Sequence, residues 1–220
     1  EIGVRLVGSE MCIRDRRTIW ETVKHHFAVS ACILQKDAKI GKIIGFYSVV
    51  FAAHTLLFFY SQQYFADFGY NKVQISVIML LVGGASCLGA LASEKMYRRF
   101  GKRCLIPETV IIAAAILCYG SGKAGVAAAA LMCAGFANAA LYPIQSDSLN
   151  ALIPSEQRAT LISVDSMCFS IAMIVLFPLA GALADRWGLK TVLLLLGAIL
   201  LLFLLTVFCI EKESFSSDHS

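Results

Sequence analysis

The 220-residue chain is 58% hydrophobic and only 15% charged, with a mean hydropathy of +0.73. Soluble domains are nearer half apolar and a quarter charged, so both deviations point towards the bilayer. A formal net charge of +4 without a basic stripe of interleaved aromatics argues against nucleic acid as a partner, and eight cysteines with no CxxC pair argue against a zinc site or a disulfide framework.

Residues 1–16, EIGVRLVGSEMCIRDR, are polar, show no helical or strand period and lack the apolar core of a signal peptide. The piece VGSEMCIRDR resembles read-through translation of a sequencing adapter, so residues 1–16 are expected to be non-native and the chain a fragment. In residues 17–38, Ile19, Trp20, Val23 and Phe27 recur at helical spacing, as in a cytoplasmic helix or linker lying at the membrane surface. Residues 39–210 then read as a six-helix transmembrane bundle. The polar stretch 211–220, EKESFSSDHS, reads as a cytoplasmic tail.

Within the bundle the hydrophobic segments are Ile43–Tyr60, Ile75–Ala92, Leu105–Tyr119, Gly125–Tyr142, Ala159–Leu183 and Thr191–Cys209. Most approach the ~20 residues needed to cross ~30 Å of hydrocarbon. Backbone groups in lipid must be satisfied internally, so all six are expected to be helices and the fold an all-α integral membrane protein. Lys36, Lys39 and Lys42 precede the first segment, and Lys95, Arg98, Arg99, Lys102 and Arg103 lie between the second and third. By the positive-inside rule both regions, and both ends of the chain, are cytoplasmic. Ala85, Gly89 and Ser93 in the second segment, and Ala130, Ala134 and Asn138 in the fourth, stand at four-residue spacing, which lets helix backbones approach closely. The leucine-rich last segment is expected to be peripheral and lipid-facing. The aromatics Phe58, Phe59, Tyr60, Tyr64, Phe65, Phe68 and Tyr70 read as an interfacial belt.

Two stretches share a plan. Gly181-Ala-Leu-Ala-Asp185-Arg186-Trp-Gly188-Leu-Lys190 has the form G-x-x-x-D-R-x-G-x-K, and Gly89–Arg103 is a looser version with Glu94 as the acid. Cations that pair reversibly with an acid could latch one arrangement of helices, so Gly89, Glu94, Arg98, Arg99, Gly101, Lys102 and Arg103 are read as a conformational loop. Gly181, Asp185, Arg186 and Gly188 form a second loop motif, placed outside by charge counting. Ionisable and polar groups within spans are functional candidates by default: His54, Gln62, Asn138, Gln145 and Asp165. Asp165 follows Arg158 by about two helical turns, with a structural ion pair or hydrogen bond near the inner surface as the alternative to a coupling role.

Together with NALIPSEQRATLIS (Asn150–Ser163) and PLAGALADRWG, these stretches make about residues 17–212 resemble the C-terminal six-helix half of a bacterial Major Facilitator Superfamily transporter. The resemblance implies half of a twelve-helix fold with alternating access around a central site. It implies a plasma-membrane protein that moves a small molecule, with the bilayer and the missing N-terminal half as partners. The expected mode is proton-coupled efflux of a drug or metabolite, with no cofactor and no enzymatic activity. Alternatives are a self-sufficient six-helix scaffold and a membrane-embedded enzyme. The latter needs a Ser–His pair, paired Asp or HExxH at depth, and the sequence carries no such motif.

Overall fold

The computed structural model describes residues 38–101, 105–151 and 158–217, and the chain divides into two compact units, Glu1–Lys42 and Ile43–Ser220. Residues 1–16 and nearly all of the expected surface helix at 17–38 lie outside the described residues, as do Lys102, Arg103 and most of the IPSEQR phrase. Among the described residues there are six α-helices and no strand. They are α1 (Ala38–Asp67), α2 (Lys72–Phe100), α3 (Leu105–Cys118), α4 (Ala124–Asn150), α5 (Arg158–Trp187) and α6 (Leu189–Ser217), with a 3₁₀ turn, Tyr119–Ser121, after α3.

Each helix except α3 runs well beyond its expected apolar segment. Apolar length sets the minimum of a span, whereas breakers set where the helix stops. Five of the six are long and apolar enough to cross a membrane. The α3 stretch is shorter, with 14 α-helical residues rising roughly 21 Å and a 3-residue 3₁₀ turn adding about 6 Å. Their sum still comes near the ~30 Å of a hydrocarbon core.

The hand-over from α1 to α2 shows how the ends are set. Gly69, at φ +82°, closes α1: its N–H donates to the Ala66 carbonyl at 2.9 Å, and the Tyr70 N–H reaches the Phe65 carbonyl at 3.1 Å. This is the Schellman arrangement, in which a left-handed glycine lets the chain satisfy the last carbonyls. Two residues later Asn71 caps α2 reciprocally. Its Oδ1 accepts from the Gln74 N–H, and Gln74 Oε1 accepts from the Asn71 N–H, both at 2.9 Å.

In the second unit, α1 and α4 are central. In the apolar windows of α1 and α4, 56% and 44% of residues are buried, against 11% for α2 and 6% for α5. The α2 face carrying Val73, Val77, Leu80, Leu81, Leu88 and Leu91 is therefore open. The tightest packing is the α2–α4 crossing. A Cβ on Gly89 would stand 2.2 Å from the Phe136 carbonyl oxygen, and one on Gly135 would stand 2.8 Å from Ser86 Oγ. Gly89, Ser93, Ala130 and Ala134, all named by their spacing, are buried here. Small residues bring the two backbones into direct contact, and dispersion across that seam replaces the hydrophobic force that lipid cannot supply.

Two expectations change. The last helix is not simply peripheral: Leu193, Gly197, Leu200 and Leu204 form a buried stripe, while Leu195, Ile199, Leu202 and Leu205 stay exposed. Gly197 is the reason, since a Cβ there would stand 2.9 Å from the Leu117 side chain of α3. Part of the aromatic belt is also turned inward, while Phe59 and Phe68 stay exposed. Tyr64 and Phe65 are buried around Tyr119, with Tyr64 and Tyr119 edge-to-face at 4.6 Å. The Tyr64 hydroxyl donates to the Tyr119 carbonyl at 2.9 Å, at the point where α3 tightens into the 3₁₀ turn. Ser61 donates to the Leu57 carbonyl, so Tyr119 donates to Ser61 Oγ, at 2.8 Å. With both hydroxyls satisfied, the rings can sit in the core.

Candidate functional site

Polar side chains on three helices converge on an open cleft of roughly 400 Å³. Helix α1 supplies His54, Thr55 and Phe58; α2 supplies Met79, Val82, Gly83 and Ser86; α4 supplies Asn138. The α2–α4 contact at Gly135 and Val82 forms one wall, because a Cβ on Gly135 would come within 3.1 Å of the Val82 side chain. One turn along each helix from that contact stand Ser86 and Asn138. His54 and Asn138, 84 positions apart in sequence, thus line one space. His54 Nε2 and Asn138 Oδ1 are both buried with no hydrogen-bond partner. Leaving such groups unpaired costs roughly 1–3 kcal/mol each, which makes this cleft the candidate site among the described residues.

A second pair joins α4 to α5. Gln145 is buried, and its Nε2 donates to Asp165 Oδ1 at 3.5 Å, the outer limit of a hydrogen bond. Gln145 Oε1 has no partner. Arg158, the expected ion-pair partner of Asp165, is exposed. Gln62 is exposed near the Asp67 end of α1 and lines neither place. Of the candidates, then, two pairs come together and one residue stands alone.

The reading of Gly89–Arg103 as a loop is corrected for its described residues, 89–101. Helix α2 continues through it to Phe100, and the turn comes at Gly101, φ +58°, whose N–H donates to the Tyr97 carbonyl. No breaker stands between Gly89 and Gly101, and Gly89 is held in the helix by its contact with Phe136. Glu94 pairs with Arg98 one turn on, Oε1 to Nη2 at 2.6 Å, on an exposed face. Arg98 and Arg99 also complement the C-terminal end of the helix dipole. An exposed i,i+4 pair contributes little, so Arg98→Gln is expected to lower thermal stability by about 0.5 kcal/mol or less, measured by differential scanning fluorimetry. The same applies to the second motif: α5 runs through Gly181, Asp185 and Arg186 to Trp187, and only Gly188, φ +80°, is a turn. Asp185 and Arg186 are exposed. Gly181 has a packing role, because a Cβ there would stand 3.0 Å from the Tyr60 hydroxyl. That hydroxyl donates to the Phe177 carbonyl at 3.1 Å, with the two rings stacked at 5.2 Å.

Several residues of the cleft were not among the sequence candidates. Thr55 and Ser86 are short polar residues in apolar helices, and Gly83 and Met79 carry no polar signal. Phe58 was read with the aromatic belt, and here it lines the cleft. Their helical faces could have been grouped with His54 and Asn138 only if the order of helices around the bundle were known.

Among the described residues no group of three or more His, Cys, Asp or Glu side chains is placed to hold a metal ion. No curated protein and no solved structure matches the chain significantly. A family model does match, over residues 43–218, which is most of the chain and all six of the helices that build the bundle and its cleft. This multi-pass helical chain, with an unsatisfied polar cleft between α1, α2 and α4, belongs to the Major Facilitator Superfamily.

Proposed function

We propose that the chain is the C-terminal six-helix half of a twelve-helix bacterial drug or metabolite transporter. It moves a small molecule by alternating access, as proton-coupled efflux across the plasma membrane, with both ends of the chain cytoplasmic. The observation that carries this reading is the cleft in which His54 and Asn138 present buried polar atoms without protein partners. Membership in a family of small-molecule transporters supports the general activity. The open faces of α2 and α5 suit contact with a second half.

Asp165 is the residue assigned to proton coupling. It is the ionisable partner of a buried polar side chain within a span, and a protonatable carboxylate in that position can change partners as protons arrive and leave. The test is flux in proteoliposomes containing the complete gene product, driven by an imposed pH gradient. Asp165→Asn is expected to lower proton-driven flux by at least roughly tenfold while leaving downhill exchange of substrate in place. Unchanged driven flux would remove Asp165 from the mechanism. Absence of flux in the unmodified protein for every substrate tried, with no substrate-induced proton movement, would count against transport itself.

A further inference from the structure

Among the polar groups of the cleft, the two hydroxyls and one amide oxygen are left to accept hydrogen bonds, while the Asn138 amide nitrogen and the His54 ring keep their own N–H donors. Thr55 spends its hydroxyl proton on the Phe51 carbonyl at 2.7 Å, and Ser86 spends its own on the Val82 carbonyl at 2.9 Å. Each therefore faces the cleft with lone pairs only. Asn138 Oδ1 is an acceptor without a donor, and His54 Nε2 is buried and unpartnered beside it. Among the described residues, this half contributes no Asp, Glu, Lys or Arg to the space, and Phe58, Met79 and Val82 make its apolar walls. A ligand bearing a full charge would lose hydration there and meet no fixed counter-charge, which is costly. An aromatic or aliphatic body would lie against the phenyl ring and the thioether.

We propose that the cleft takes a small, largely apolar molecule that is uncharged when bound and carries a hydrogen-bond donor, a hydroxyl or an amide N–H, directed at Asn138 Oδ1. This rests on the transport reading of the same cleft and adds the class of molecule it selects. A volume of roughly 400 Å³ lies within the range of ligand pockets. The selectivity has a physical source: a site with buried acceptors rejects an analogue lacking the donor, because those acceptors are then left unpaired.

Four probes on one biphenyl skeleton test it: 4-phenylphenol, its methyl ether, the trimethylammonium analogue and the carboxylate. Equilibrium binding is measured on the complete gene product, both halves together, in lipid nanodiscs, with empty nanodiscs correcting for partition into lipid. The phenol is expected to bind roughly tenfold or more tightly than each of the others. Gly83→Leu supplies the control that locates the site. Gly83 lines the cleft and a Cβ there meets nothing within 4 Å, so the variant is expected to fold and its larger side chain to occlude the space. It is expected to abolish phenol binding, and Asn138→Leu to bring phenol and ether to equal affinity. Asn138→Asp should instead shift the preference to the trimethylammonium probe. If the ether or a charged probe binds as well as the phenol, and Gly83→Leu removes that binding, the donor rule is wrong and the cleft stands as the binding site. If no probe shows binding that Gly83→Leu removes, the cleft is not a binding site and the transport reading loses the observation that carries it.

Discussion

Replacing Gly89 with leucine is expected to cost about 3 kcal/mol or more, a large share of the stability of a marginally stable bundle. The reason is geometric. A Cβ at this position would lie 2.2 Å from the backbone oxygen of Phe136, 2.9 Å from its carbonyl carbon and 3.0 Å from its Cα. No rotamer change relieves a clash with main chain, so α2 and α4 must separate. Separation would open the seam along which Val82, Ser93, Ala130 and Ala134 are buried, and would move Ser86 away from Asn138. Gly84→Ala on the same helix is the control, since its added Cβ meets nothing within 4 Å. It is expected to be neutral or to gain up to about 1 kcal/mol from helix propensity. Thermal melts followed by fluorescence-detected size exclusion compare the two. A Gly89→Leu chain that melts with the parent would show that the α2–α4 contact is looser than described.

Tyr119→Ala is expected to cost about 3–5 kcal/mol, the range for deleting a large buried aromatic. Tyr119 is fully buried at the end of α3, where Tyr64 and Phe65 pack against its ring and Ser61 accepts its hydroxyl proton. Its loss leaves a cavity beneath α1 and takes the ring from the 3₁₀ turn that orients its carbonyl towards Tyr64. Tyr119→Phe separates the two contributions. It keeps the packing and gives up one hydrogen bond, so it should cost only about 1 kcal/mol. Denaturation in mixed micelles measures the pair. Equal losses for alanine and phenylalanine would shift the weight from packing to the hydroxyl network.

Much of the α2–α4 seam was legible beforehand. Gly89, Ser93, Ala130 and Ala134 announced themselves by spacing, because small residues one helical turn apart in an apolar run have few uses other than close approach. The aromatic cluster was legible as a cluster but not in its role. An amphipathic ring suits an interface and a satisfied core position equally well, and the choice turned on a carbonyl 55 residues away from Tyr64. The basic stretch was read as a loop because charge density marks where a span leaves the bilayer. Charge says nothing about where the helix ends, and that is decided by Gly101.

His54 and Asn138 were both candidates, each for the same local reason: a polar side chain in a span is costly unless it is used. Gln145 and Asp165 were candidates on the same ground. Only the packing of the helices made pairs of them. Composition, apolar length and charge asymmetry act through the solvent around each helix, so residue order alone was enough for the class of the protein, the approximate positions of its helices and the polar residues to watch. Which polar groups meet depends on the rotation and order of helices around the bundle. Contacts between residues such as Gly89 and Phe136 set those, and such contacts exist only once the helices have packed.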